Sequence, residues 1–347
     1  MIWLTWRQFR AAATTVFAVL GVLAVLLALT GPGLADSYLA DSYSDGIAAC
    51  TAQGRGCSSF AERFFTEHEK AFLGVSAVAL LLPAVIGLFW GAPLVARELE
   101  AGTHRLVWNQ SITRARWLAV KLGLVGLAAT TAAGVGTLAV TWWASPIDKT
   151  ADGSYARISP LLFAARGVVP VGYAAFAFVL GVTAGLLVRR ALPAMAVTLG
   201  VFVAVQIAMP LLVRPHLAAP VRSDLEISES NFQNVITPQG EGSPQVMLGT
   251  PQSEDWILST HLVDASGTAV DAITLSPSGA CGQRSDSTPP VFEECFTEIN
   301  QLGYRQQVTY HPANRFWRLQ WYETGIYGAL SLTLAGLSLW CIRRRLS

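Results

Sequence analysis

Charged side chains are scarce in this chain, at 14% of its 347 residues, where soluble domains carry about 25%. The formal net charge is only +1, so nothing in the balance invites nucleic acid. No GxxxxGK[ST] loop occurs, which excludes a nucleotide held in the P-loop manner. The five histidines, His68, His104, His216, His261 and His311, are scattered. None stands in HExxH, and Lys70 after His68-Glu69 breaks any resemblance to it. No CxxC pair and no G-x-S-x-G elbow is present, so metal, redox and serine-hydrolase chemistry lack their usual signatures. An enzyme is not expected, and neither is a cofactor. Ion-coupled transport needs ionisable groups inside spans. The interiors of five apolar runs have none, Lys121 standing at the entrance of the third, and the sixth has only Glu323 at its entrance. The deepest polar side chain, Gln206, is read as a structural hydrogen-bonding group. Any movement of cargo against a gradient must draw its energy from outside the bundle.

What the chain does have is long apolar runs, with 52% hydrophobic residues and a mean hydropathy of +0.43. A bilayer-crossing helix needs about 20 such residues. Six candidate spans fall near 12–30, 71–95, 119–143, 167–188, 193–213 and 323–342. Basic residues flank them in a consistent pattern: Arg7 and Arg10, the Arg97–Lys121 segment, Arg189 and Arg190, and Arg343 to Arg345. All four groups lie on one side if every span is real, which places both termini in the cytoplasm of a cell-membrane protein. A secretory signal is the other reading of the first span, but its apolar core of about 20 residues exceeds the usual h-region. The fold expected is therefore an all-α membrane protein of six transmembrane helices with a small β-rich extracellular domain. Its organisation is 1–213 for spans one to five, 214–322 for the extracellular domain, and 323–347 for the sixth span and basic tail.

The opening MIWLTWRQFR reads as a short aromatic and basic helix in the membrane interface or, at the same location, as an aromatic belt with topogenic arginines. Residues 58–72 place Phe60, Phe64 and Phe65 roughly on one face, which suggests a short amphipathic helix resting on the outer leaflet. In 214–322, the stretches VMLGT, WILSTHLV and RQQVTYH alternate in the manner of short strands. Four cysteines, Cys50, Cys57, Cys281 and Cys295, fall in exported segments, where disulfides persist. They allow three pairings, and the local one, Cys50–Cys57 with Cys281–Cys295, costs least in loop closure. Cys341 reads as an apolar filler.

The segment RELEAGTHRLVWNQSITRARWLAVK, residues 97–121, is a compact charged hairpin between spans two and three. Gly102 supplies a left-handed turn and Thr103 a cap, followed by an apolar face from His104 to Trp108. Two readings stay open on physical grounds: a topogenic hairpin with snorkelling arginines, and an amphipathic rod on which a cytosolic partner pushes.

The pattern Glu98, Gly102-Thr103, Thr113-Arg114 and Lys121 resembles the permease subunits of type-2 ABC exporters. More narrowly, LTWRQFR, THRLVWNQSITRARWLAVK and RFWRLQWYETGIY look like an actinobacterial group with a large extracellular domain before the last span. Thr113 stands where that family often has Ser, and the extended outer domain departs from compact members. The resemblance implies a permease without an ATP site, paired with a cytosolic ABC ATPase and a second permease copy, identical or related. It implies that loop 97–117 is a coupling helix, with Glu98, Gly102, Thr103, His104, Arg105 and Arg114 in the ATPase contact. The alternative is a non-transporting membrane sensor or immunity protein with a ligand-binding extracellular domain.

Overall fold

A computed structural model describes residues 2–40, 58–102, 113–149, 155–228, 231–236, 245–249, 251, 253–274 and 292–344. Among the described residues, six helical stretches are long and apolar enough to cross a membrane: Phe9–Tyr38, Arg63–Glu100, Arg114–Ala144, Val169–Val188, Ala191–His216 and Ala313–Arg344. The chain divides into two compact units, one of Met1–Ala151, Pro160–Leu217 and Phe316–Ser347, the other of Asp152–Ser159 and Ala218–Arg315.

In the first unit, α1 spans Ile2–Ala40 and α2 spans Ser58–Ile86. A π turn, Gly87–Gly91, carries α2 into α3, Ala92–Glu100. Then come α4 (Arg114–Ala144), the short α5 (Pro160–Phe163), α6 (Val169–Val188) and α7 (Ala191–Ala208). A second π turn, Met209–Val213, extends α7. Proline explains both turns. It lacks the amide proton that an α-helix needs four residues on, and a π slip absorbs the missing bond. Pro93 follows the first turn, and Pro210 and Pro215 sit in and just beyond the second.

Two expectations are corrected here. The opening residues are not a separate interfacial helix, because α1 runs unbroken from Ile2. Nor do residues 58–72 form a separate amphipathic helix. No Gly or Pro separates Ser58 from Phe72, so the helix continues into the second span. Phe64 and Phe72 are fully buried, facing neighbouring helices instead of lipid.

Helix α6 is the axis of this unit and buries nearly its whole surface. Ala174, Phe178, Val179, Val182 and Leu186 enter one apolar core with Ile86, Trp90 and Val95 of the second span and Leu118, Val125 and Ala129 of α4. The tightest crossing is backbone on backbone. A Cβ placed on Gly181 would lie 2.5 Å from the Gly87 carbonyl oxygen and 2.6 Å from the Ala92 nitrogen. One placed on Gly91 would lie 2.5 Å from the Phe178 carbonyl oxygen. Small residues at i and i+4 on both helices permit this approach.

The second unit contains a four-stranded antiparallel sheet in the order β1-β7-β4-β5 and a three-stranded one in the order β2-β3-β6. The strands are β1 (Val221–Leu225), β2 (Phe232–Ile236), β3 (Gln245–Leu248), β4 (Trp256–Val263), β5 (Ala269–Val270), β6 (Ile273–Thr274) and β7 (Arg305–His311). WILSTHLV and RQQVTYH coincide with β4 and β7, and VMLGT overlaps β3 at Val246–Leu248. A helix the sequence analysis did not foresee, α8 (Phe292–Gln301), brings Cys295 and Ile299 onto Ile227 and Ile273. Asn300 of the same helix binds both the amide and the carbonyl of Ile227, at 3.0 and 2.8 Å. The chain then returns to the first unit in α9 (Phe316–Arg344).

Gly181→Ala should lower the melting temperature of the detergent-solubilised protein, at a cost of about 1–3 kcal/mol for overpacking. Gly123→Ala, where a new Cβ meets nothing within 4 Å, should not. The turn between β4 and β5 gives a pH test. The Ser266 hydroxyl, with the amides of Thr268 and Ser266, holds the exposed Asp264 carboxyl below its ordinary value. A depressed pKa stabilises the fold above the unfolded value, and the effect disappears as pH falls through the folded one. Asp264→Asn should therefore speed amide exchange in residues 264–270 at neutral pH, and wild type and variant should converge in strong acid.

Candidate functional site

The segment expected from sequence to be the site joins the end of α3 to the start of α4. Helix α3 closes with the Ala101 amide on the Arg97 carbonyl (3.0 Å) and the Gly102 amide on the Leu99 carbonyl (3.3 Å). Gly102 adopts φ +69, a conformation that costs a residue with a Cβ roughly 1–2 kcal/mol. On the other side of the connection, the Thr113 hydroxyl caps α4 by accepting the Arg116 amide, at 3.4 Å. Residues 103–112 between them lie outside the described residues, and with them Thr103, His104 and Arg105.

Behind the connection, Lys121 Nζ meets Glu98 Oε1 at 2.6 Å. The lysine is 2% exposed. Its ammonium also donates to the Leu94 carbonyl (3.4 Å) and lies 4.6 Å from the centre of the Trp117 ring. Glu100 Oε2 accepts the Ala191 amide at 3.1 Å. A carboxylate is thereby placed at the positive N-terminus of α7. Glu98 and Glu100 thus tie the end of α3 to α4 and α7, while Arg114 opens α4 half-buried. Of the cysteines, Cys295 is buried and disulfide-bonded. Cys50, Cys57 and Cys281 lie outside the described residues, and Cys341 is a buried free thiol.

A second polar cluster, deep in the bundle, escaped the sequence analysis. Helix α9 begins at Phe316, so Glu323 lies two turns inside it and is fully buried. It is not at an entrance. Arg214, 1% exposed, grips it with two bonds, Nε to Oε2 at 2.7 Å and Nη2 to Oε1 at 3.0 Å. The Tyr173 hydroxyl donates to the same carboxylate at 2.5 Å. Arg214 also donates to the Pro160 carbonyl (3.0 Å) and stacks over Phe163, 4.2 Å away. One turn earlier, Gln320 Oε1 accepts the Val168 and Val169 amides, at 2.9 and 2.8 Å, and so caps α6. Further along, the Tyr327 hydroxyl donates to Gln206, at 3.4 Å. Gln320, Glu323 and Tyr327 recur at three and four residues. That spacing, inside an otherwise apolar span, is the signal from which the cluster was readable.

The family described as ABC-2 membrane transporter related matches residues 17–214, more than half of the chain and five of its six apolar helices. The chain belongs to this family. It is an ABC-2-related multi-pass membrane protein, a transport component by family. No curated protein and no solved structure matches it. The matched region holds the Glu98–Lys121 pair and ends at Arg214, so Glu323 and α9 lie beyond it. Among the described residues of this ABC-2-related chain, no group of three or more His, Cys, Asp or Glu side chains could hold a metal ion.

Removing one partner of the deep pair leaves a charge unpaired inside the bundle. Glu323→Ala should cost about 3–5 kcal/mol of stability. Replacing both, Arg214→Met with Glu323→Leu, should return most of it, because the paired charges contribute little net energy over apolar isosteres. Thermal unfolding of the detergent-purified single and double variants checks this.

Proposed function

We propose that the chain is the membrane-spanning permease subunit of an ATP-driven exporter, coupled to a separate cytosolic ABC ATPase through the connection between α3 and α4. The observation that carries this reading is the Glu98–Lys121 pair, buried at the root of that connection. Force applied at a surface loop moves a bundle only if the loop is rigidly joined to it. Here the joint is an ion pair, a helix cap on α7 and a left-handed glycine. Glu98 acts in this scheme as a positioning residue, while Thr103, His104, Arg105 and Arg114 supply the contact with the ATPase. A second permease copy, identical or related, completes the pathway, and the bilayer is the remaining partner.

The orientation follows from charge. Arg7, Arg10, Arg97, Arg114, Arg189, Arg190 and Arg343 to Arg345 belong to the cytoplasmic side, with both termini. Ala218–Arg315 is then extracellular, in keeping with its disulfide-bonded Cys295. Energy is external to this chain: the deep cluster is internally satisfied and the spans offer no relay to water.

Affinity purification of the tagged chain from its host should bring down a stoichiometric nucleotide-binding subunit with ATPase activity. Gly102→Pro cannot adopt φ +69, since proline fixes φ near −65°. It should insert normally, yet lose the ATPase subunit or its transport-linked activity by tenfold or more, about 1.4 kcal/mol in coupling. Lys121→Met should act in the same direction through Glu98. A chain that purifies without any ATPase, or a well-inserted Gly102→Pro variant with undiminished export, overturns the reading.

A further inference from the structure

A groove of about 230 Å³ opens at the basic end of the bundle, between the first turns of α1 and the junction of the π turn with α3. Its lining includes Phe9, Phe89, Trp90, Pro93, Arg97 and Glu98. Phe9 and Trp90 make its floor, edge to face with ring centroids 4.7 Å apart, and both are buried. Phe89, turned the other way by the π turn, is 57% exposed. The outer face of α1 above the groove is apolar and open, with Val19, Val22 and Leu26 each more than half exposed. On a membrane protein that face meets acyl chains.

Among the described residues, the polar rim carries one charge that enters no ion pair. Glu98 would repel an anion, but Lys121 neutralises it at 2.6 Å. Arg97 is exposed and enters no ion pair or side-chain hydrogen bond among the described residues. The groove therefore offers a cation above an aromatic floor, near the end of the second apolar helical stretch. The contrast with the groove of about 250 Å³ at the far end of α1 is instructive. That one is lined by Gly31, Pro32, Tyr38, Trp142, Trp143 and Pro146 among others, with no charged side chain. Its chemistry gives no preference for an anion.

We infer that the groove under Arg97 binds an anionic phospholipid of the adjoining leaflet, with the phosphate on the Arg97 guanidinium and an acyl chain over Phe89 and Phe9. Arginine suits this because its planar fork matches phosphate bidentately. At about 230 Å³ the groove is smaller than a typical enclosed small-molecule pocket of about 300–1,000 Å³. It accommodates the headgroup end of a lipid whose tails remain in the bilayer, and it is too small for an enclosed cargo. The inference is independent of the ATPase reading, since it requires only the membrane and the groove.

The test is native mass spectrometry of the full-length, delipidated protein titrated with phosphatidylglycerol and, separately, phosphatidylcholine. Phosphatidylglycerol should bind as one saturable copy per chain, ahead of phosphatidylcholine. Arg97→Gln should weaken that binding about five- to tenfold, the loss expected for one interfacial basic contact. Arg116→Gln removes another exposed arginine, at the start of α4, that does not line the groove, and should leave binding unchanged. Unchanged binding in Arg97→Gln overturns the site. An equal loss in Arg116→Gln shows diffuse attraction to the basic end and overturns it as well. Equal binding of phosphatidylcholine shows that net negative charge is not recognised and overturns the anionic ligand. Because Arg97 is exposed, its variant should keep the wild-type melting temperature, which separates lost binding from lost fold.

Discussion

The bundle depends on the place where α6 and the second span touch through their backbones. Helices in hydrocarbon gain nothing from excluding water, so close van der Waals contact has to hold them together. Gly87 and Gly91 on one side, with Gly181 on the other, bring the two main chains nearer than any side chain would allow. The π turn is part of this fit. It adds a residue to the turn that carries both glycines and leaves Trp90 pointing inward and Phe89 outward. Once this crossing is set, α3 leaves the core in a defined direction. The carboxylates of Glu98 and Glu100 then arrive where Lys121 and the start of α7 need them.

Charges in the bundle fall into two kinds, and satisfaction tells them apart. Arg214, Glu323 and Tyr173 form a closed set: the carboxylate accepts three bonds and the guanidinium finishes on a carbonyl and a ring. A set whose opposite charges are matched and hydrogen-bonded to one another holds helices together and has little left to offer a ligand. Arg97 is the opposite case, exposed and without an ion pair among the described residues, beside an aromatic floor. Glu98 stands between the two, buried enough to need Lys121 yet adjacent to the loop.

Much of this was legible in the sequence, and the failures have physical causes. The six apolar helices follow from hydropathy alone, and the alternation of WILSTHLV and RQQVTYH gave β4 and β7. Helix ends were misjudged wherever polar residues continued a helix without a breaker, as in Ser58–Phe72 and before Glu323. Hydropathy registers the bilayer, whereas helix length follows Gly, Pro and caps. The Arg214–Glu323 pair was hidden because its partners are 109 residues apart, and each alone resembled a flanking charge. Lys121 and Glu98 were seen, but as members of a basic cluster and not as a pair, because pairing depends on how α3 and α4 pack. Gly102 stood out as a turn residue because few other residues tolerate its conformation. Helix α8 was missed because its polar face outweighs Phe292, Cys295, Phe296 and Ile299, although their spacing is helical.

The 109-residue gap between Arg214 and Glu323 bears on how the chain is made. During synthesis α7 emerges first, and the arginine that follows its π turn has no Glu323 to pair with until the whole intervening segment and the start of α9 have followed. Arg214 must wait near the headgroups through that interval, where water and phosphate can solvate it. Final consolidation of α6, α7 and α9 is therefore a late event, triggered by arrival of the last helix. A nascent chain stalled before Phe316 would carry an unmatched cation at the margin of its bundle, a mark by which membrane quality control could distinguish an unfinished protein from a finished one.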